Sequence, residues 1–491
     1  MATTPHERTL DPADWDALRA LAHQMVDDML THLETVRERP AWQPMPDEAR
    51  ARFSQPLPEQ PEGAEAAYRE FVEDVLPYPL GNIHPRFWGW VIGTGTPVGV
   101  LAEMLAATMN PNLGGADHAA NEVERQVIGW CKALVGYPAE ASGLLVSGGS
   151  MANLVGLTVA RNAMAGYDIR REGVGAAPRP MTFYASTEVH SSAIKAVELL
   201  GLGQDALRLI PANDAYQIDL GALEEAIAQD RAAGCQPIGV IGCAGTVNTG
   251  AIDDLNALAD LCEREGLWFH VDGAFGALAS IAPGLRPLVA GMERADSLAF
   301  DLHKWMYMPF EVGCTLVRAE EAHRKAFSLT PDYLVHATRG TAAGSPWFSD
   351  YGVQLSRGFR ALKVWMSLKA HGAAAYREMI QQNVDQARYL SDLVDEHPNL
   401  ERLAPTSLNI VCYRYVEPGL SKEQLDDLNA ELLIQLQEQG IAVPSSTVLK
   451  GCYAIRVANT NQRSRREDFD LLVRESARLG KQLAQAAQAA S

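Results

Sequence analysis

The sequence predicts an α/β protein with a mainly parallel sheet and helices on both faces. Two observations lead there. From about residue 90, short apolar runs end in small-residue turns and pass into amphipathic stretches, and this unit repeats along the chain. The runs are also apolar throughout, as strands covered on both faces are. A third observation, a change of pattern near Tyr376, adds a smaller α+β lobe.

The elements follow in order. The stretch ADWDALRALAHQMVDDMLTHLETVRE spaces Leu18, Leu21, Met25, Met29, Leu30 and Leu33 as one face of a helix. Proline-rich segments (RPAWQPMPDEAR, SQPLPEQPEG) follow, so residues 1–90 read as a helical arm outside the sheet, suited to pack on a second subunit. The strand–turn–helix units then run GLLVSGGSMANLVGLTVARNAMA, MTFYASTEVHSSAIKAVELLG and PIGVIGCAGTVNTGAIDDLNALADLCEREG. LWFHVDGAFGAL and SLAFDLHKW begin as further strands, so residues 91–375 read as the large domain. A long charged helix opens residues 376–491, where LNIVCYRYV and CYAIRVAN alternate with helical stretches. In sheets of this kind the chemistry sits on the loops leaving the carboxyl ends of the strands.

Composition narrows the class. Of 491 residues 47% are hydrophobic and 21% charged, enough for a large core in two or three lobes. The formal net charge of −19, with no basic run, argues against nucleic acid or an anionic membrane as partner. Seven scattered cysteines lack any C-x-x-C pair, which reads as reduced thiols in a cytoplasmic protein. The first twenty residues lack a signal-peptide pattern, and no apolar run reaches the roughly 18–20 residues of a membrane span. The histidines lack metal-ligand spacing, so no metal is expected.

Four strand ends carry the candidate chemistry. SGGSMANL (147–154) sets two glycines and two serines before a helix, a cup for phosphate; alternatively Ser150 only caps the helix. His190 in EVHSS ends a strand-like run, and hydrogen bonding is its ordinary role there. Asp272 in HVDGAF either caps the next turn or holds a cation such as a protonated ring nitrogen. Lys304 in LAFDLHKWMYMP stands between two apolar runs, where an ammonium is costly to bury unless paired or bonded covalently. Taken singly, it could be a boundary lysine with its stem on apolar surface. In this order the four describe a site for pyridoxal 5'-phosphate. The lysine bonds the aldehyde, the aspartate keeps the ring nitrogen protonated, the histidine stacks on the ring, and the cup takes the phosphate.

From HPRFWGW to YAIRVANTN the sequence resembles the group II pyridoxal-phosphate decarboxylases of the aromatic-L-amino-acid decarboxylase type. The resemblance implies the fold type I architecture of PLP-dependent transferases and decarboxylation of an L-amino acid, most simply an aromatic one, to its amine and CO2. SGGSMANLVGL matches the phosphate loop (Gly149, Ser150), and VHSSAIKA the segment of the stacking histidine (His190). AGTVNTGAIDDL supplies Thr246 beside the ring, and HVDGAFG supplies Asp272 at the ring nitrogen and Ala274 beneath the ring. HKW carries the Schiff-base lysine, Lys304, with His303 near the phosphate. LTPDYL resembles the loop whose tyrosine reprotonates the substrate carbon, which implies Tyr333, and LSRGFRALKVW supplies Arg357, with no role assigned. The resemblance also implies a homodimer whose sites are shared between subunits.

The chain departs from the family pattern in places. Asp301 replaces an asparagine near the phosphate of animal members and would need His303 or a water to screen it. The region of the substrate wall contains Trp88, Trp90, Val91, Asn110, Asn112 and His118, from which Trp90, Val91 and Asn112 are taken as substrate contacts. Two aromatic residues suit an aromatic side chain, and two asparagines a more polar one. Alternative readings are a non-aromatic decarboxylase, an aminotransferase using Arg456 as carboxylate clamp, an aldehyde-forming oxidative decarboxylase, and an inactive relative. Arg456 reads as structural, and Tyr333 favours simple decarboxylation because aldehyde-forming members tend to lack it.

Overall fold

A computed structural model describes residues 8–329, 337–344 and 346–489 of the chain. The apolar runs become seven strands: β1 (Ser142–Val146), β2 (Met181–Ser186), β3 (Leu207–Ile210), β4 (Gln236–Cys243), β5 (Trp268–Asp272), β6 (Ser297–Asp301) and β7 (Gly313–Val317). They pair in the order β1-β7-β6-β5-β4-β2-β3. Only β7 is reversed, pairing antiparallel with β1 and β6, so the other six point the same way. Every residue of β1, β2, β5, β6 and β7 is buried, which is why these runs do not alternate.

Helices cover both faces, and their ends are set by local chemistry. The helix Leu255–Glu265 starts where the Asp254 carboxylate accepts from the Ala257 N–H and ends at Gly266, whose φ of 66° is left-handed. The helix Leu220–Ala232 is capped in the same way by Asp219.

The second lobe is an antiparallel sheet in the order β10-β11-β9-β8, formed by β8 (Leu400–Arg402), β9 (Ile410–Tyr415), β10 (Ser445–Leu449) and β11 (Cys452–Ala458). Its core, around Leu432, Leu436, Tyr413 and Phe469, includes Trp88. Trp88 is fully buried, stacks on Phe469 at 4.8 Å and donates to Ser464 Oγ at 3.0 Å. Trp88 is therefore a core residue of this lobe and not part of a substrate wall. The helix Ala361–Glu396 runs past residue 375, the boundary read from the sequence, with non-helical dihedrals at Gly372.

The N-terminal helix Trp15–Glu34 is capped by Asp14, which accepts from the N–H groups of Asp16 and Ala17. Along it only Leu21 and His32 are buried, while Trp15, Leu18 and Leu30 stay exposed. Among the described residues no helix is long and apolar enough to cross a membrane.

Arg357 ties three segments together beneath the sheet. Its guanidinium donates to the Leu113 and Leu145 carbonyls and pairs with Glu124, and both side chains are almost fully buried. Burial raises the Glu124 pKa, against the pull of Arg357. Replacing Glu124 alone by leucine leaves the guanidinium buried without its counter-charge, so urea denaturation should show a loss of about 3–5 kcal/mol. The double change with Arg357→Met should recover most of that loss. A single-variant loss below about 1 kcal/mol would contradict this account of the pair.

Candidate active site

The parallel strands deliver their carboxyl ends to one edge of the sheet, and five of those ends build the site. After β1 the helix Gly149–Met164 begins at Gly148, with no side-chain cap. Ser150 is thus not the cap, and residues 147–151 at the start of the helix line the cleft. A Cβ at 149 would lie 2.8 Å from Asp301 Oδ2, so any larger residue there must displace that carboxylate.

After β2, His190 caps the helix Ser191–Leu199, its Nδ1 accepting from the Ser192 N–H at 3.1 Å. The imidazole proton therefore sits on Nε2. Burial lowers the His190 pKa, with Asp272 pulling the other way. At the end of β5, Asp272 Oδ1 accepts from the Ala274 N–H at 3.1 Å and Oδ2 from Asn153 Nδ2 at 2.9 Å. After β4, Thr246 Oγ1 lies 3.1 Å from Thr249 Oγ1 and accepts from the Ala251 N–H.

After β6 one helical turn, Leu302–Trp305, turns Lys304 back toward the sheet edge. Its Nζ lies 3.0 Å from Asp301 Oδ2, while His303 Nε2 is 3.8 Å from the same oxygen. The charge of Asp301, unexplained from sequence, is thus met chiefly by Lys304. Its other oxygen, Oδ1, is buried and has no hydrogen-bond partner among the described residues. His303 Nδ1 accepts from the Val312 N–H, and burial lowers its pKa.

These residues surround two adjoining clefts of about 320 and 270 Å³. The first is lined by Gly149, Ser150, Asp301 and His303, the second by Trp90, Val91, Thr246, Asp272 and Phe275. His190, Ala274 and Lys304 line both. Every predicted cofactor residue therefore borders one cleft or the other, as do Trp90 and Val91.

Asn112 does not border either cleft of its own chain. Its Oδ1 accepts from the N–H groups of Gly114 and Arg357, so the side chain holds a loop in place. Asn110 is likewise a helix C-cap with φ 46°, and His118 precedes a helix with Nε2 on the Asn112 carbonyl. Tyr333 lies outside the described residues.

Arg456 was read as structural, and its bonds are of that kind. Nε donates to the Asn248 carbonyl at 3.0 Å and Nη1 to the Trp90 carbonyl and Ser445 Oγ, while Nη2 donates to the Val247 carbonyl. It also lines the second cleft, and burial lowers its pKa to about 10. Sequence reading also passed over Asn153 and Ser192, both in the first cleft. Neither has a motif of its own, although Asn153 lies within the quoted SGGSMANL.

The arrangement fits a phosphorylated aldehyde. An uncapped helix start and a glycine cradle suit the phosphate, a lysine amine suits the aldehyde, and a buried carboxylate with two donors suits a ring cation. Residues 46–416 match the pyridoxal-dependent decarboxylase conserved domain. The chain belongs to the pyridoxal-dependent decarboxylase family. It is 34% identical over 458 residues to the aromatic-L-amino-acid decarboxylase of Bacillus atrophaeus, covering 92% of this chain and 93% of that protein. It is 30% identical to the phenylacetaldehyde synthase of Petunia hybrida, over 91% and 90% of the two chains. The structure of Oryza sativa TDC with PLP and tryptamine superposes with a TM-score of 0.87 at 26% identity, over 98% of this chain and 100% of that one. The decarboxylase therefore has the fold type I architecture, takes pyridoxal phosphate as cofactor, and is a carboxy-lyase acting on amino acids.

In this decarboxylase Gly149→Ala would push a methyl group against the Asp301 carboxylate beside the cup. Overpacking of this kind costs about 1–3 kcal/mol, so cofactor affinity should fall roughly ten- to hundredfold in a fluorescence titration. Unchanged affinity would show that the cup does not take the phosphate.

Proposed function

We propose that the protein decarboxylates an aromatic L-amino acid to the corresponding amine and CO2. The observation that carries this reading is Lys304 at the junction of the two clefts, the first holding the glycine cup and the second holding Asp272 and Thr246 beside an apolar wall. Trp90, Val91, Val247 and Phe275 give the second cleft an apolar lining, and the Bacillus atrophaeus relative is an aromatic-L-amino-acid decarboxylase.

In this reading Gly149, Ser150 and His303 would hold the phosphate, and His190 and Ala274, which line both clefts, would pack against the ring. Asp272 keeps a proton on the ring nitrogen, and Thr246 lies beside the ring. When bound, the cofactor supplies an aldehyde for the amines and a cationic ring that accepts the electrons of the broken Cα–carboxylate bond. Lys304 would bond the cofactor aldehyde, and Asp301, 3.0 Å from its Nζ, would pair with the ammonium whenever that bond is open. Trp90 and Val91, which line the second cleft, would orient the substrate side chain and with it the carboxylate. Closing the cleft to water favours loss of a charged carboxylate as neutral CO2. Tyr333 returns the proton to Cα.

The unburied apolar side chains of the N-terminal helix support a homodimer with shared sites. The free state of all seven cysteines accords with a reducing, cytoplasmic location.

A second reading, formation of an aldehyde, has its own support in the similarity to phenylacetaldehyde synthase. Incubating the cofactor-loaded protein with tryptophan, tyrosine, phenylalanine and DOPA should release CO2 and the matching amine from at least one of them. Lys304→Ala should abolish both the absorbance band of lysine-bound cofactor and turnover. Tyr333→Phe should divert product from amine to aldehyde with uptake of O2. Aldehyde from the unaltered protein would replace the first reading by the second.

A further inference from the structure

Beneath the cofactor residues lies a chain of buried polar groups in which the hydrogen bonds from Trp268 to Asp272 each have an assignable direction. It begins at Trp268, where Nε1–H donates to Ser297 Oγ at 2.8 Å. Ser297 Oγ lies 2.8 Å from His270 Nδ1, and His270 Nε2 lies 2.9 Å from Asn153 Oδ1. The amide nitrogen of Asn153 donates both to Asp272 Oδ2 at 2.9 Å and to Ser192 Oγ at 3.1 Å. Ser192 Oγ lies 2.8 Å from His190 Nδ1.

The carboxylate fixes the direction of the rest. A carboxylate only accepts, so Asn153 must present its NH2 to Asp272 and its oxygen to His270. His270 Nε2 must then carry the proton, which leaves Nδ1 to accept from the Ser297 hydroxyl. Ser297 in turn accepts from the Trp268 indole, which has no other role to play. On the far side Ser192 Oγ accepts from Asn153 and lies 2.8 Å from His190 Nδ1, which accepts from the Ser192 N–H. Asn153, His270 and Ser297 are all at most 1% exposed, so water does not complete the set. Room for the His270 ring exists because residue 156 is glycine: a Cβ there would lie 2.8 Å from His270 Cε1.

We infer that Asn153 is a positioning residue which locks Asp272 and His190 into one unit, fixing the carboxylate that meets the ring nitrogen and, through Ser192, the imidazole that covers the ring. This rests on the proposed placement of Asp272 and His190 about the cofactor. Burial holds His270 neutral, with its pKa near 4, as the donor chain requires. The charged groups facing His190 are Asp272, Asp301, Lys304 and Lys195, and Asp272 is the one facing His270. No mobile charge is needed, because the chain works by the fixed direction of its donors.

The test replaces Asn153 by aspartate and by leucine, with Asp272→Asn as a control, and measures pyridoxal phosphate affinity by tryptophan fluorescence from pH 5 to 9. Affinities are read relative to the unaltered protein at each pH. Both Asn153 variants should bind roughly ten- to hundredfold more weakly at pH 8, the loss expected on removing a buried hydrogen bond to a charged group. A protonated carboxyl is again an O–H donor, and Asp272 beside it raises its pKa. Asn153→Asp should therefore recover affinity as the pH falls, whereas Asn153→Leu should not. Thermal melts of the cofactor-free variants report any general loss of folding. Equal losses for the two variants at every pH, or unchanged affinity for both, would overturn the inference. Affinity unaltered by Asp272→Asn would instead sink the placement of Asp272 on which it rests.

Discussion

The parallel register of β4, β5 and β6 is the constraint on which the site depends. Cys243 lies opposite Asp272, and Asp272 opposite Ala299, two residues before Asp301 and five before Lys304. A slip of one residue would turn every side chain of a strand to the other face of the sheet. Asp272 would then leave the cleft, and Lys304 would leave with its loop. The burial of all five residues of β5 and β6 resists such a slip, because apolar neighbours on both faces fix the register. The site thus takes its geometry from the sheet rather than from its own loops.

Placing charge at the end of such a sheet has a cost that the structure meets locally. Asp272 has two N–H donors, Asp301 has the ammonium of Lys304, and Glu124 has the guanidinium of Arg357. In a poorly polarisable interior each of these groups would be strongly destabilised alone. Arg456 is treated differently: carbonyl and hydroxyl oxygens surround it, and these bonds tie β11 to the loop after β4 and to Trp90. The same residue thereby joins the two lobes and forms part of the wall of the second cleft.

Much of this was legible in the sequence. The apolar runs, the glycine turns and the order of cup, histidine, aspartate and lysine gave the fold class and the cofactor, because each depends on residue type at short range. Gly149, Ser150, His190, Thr246, Asp272, Ala274, His303 and Lys304 all border the two clefts. The misplacements came from the stretch between residues 88 and 118. Trp88 turned out to pack in the small lobe on Phe469, and Asn112 to hold the Arg357 loop. Those partners lie hundreds of residues away, and no local pattern announces them.

The sequence by itself determined which cofactor the chain takes, since a lysine, an aspartate and a phosphate cup at strand ends in that order have few other uses. Only the tertiary structure decided how these groups are held. The pairing of Asp301 with Lys304 rather than with His303 is a matter of distance across one helical turn. The hub at Asn153 joins the helix after β1 to the helix Ser191–Leu199 after β2 and to strand β5, and through His270 to Ser297 of β6. Its meaning arises from the direction of each hydrogen bond, which depends on what every neighbour donates or accepts. A linear sequence names the groups but not their neighbours.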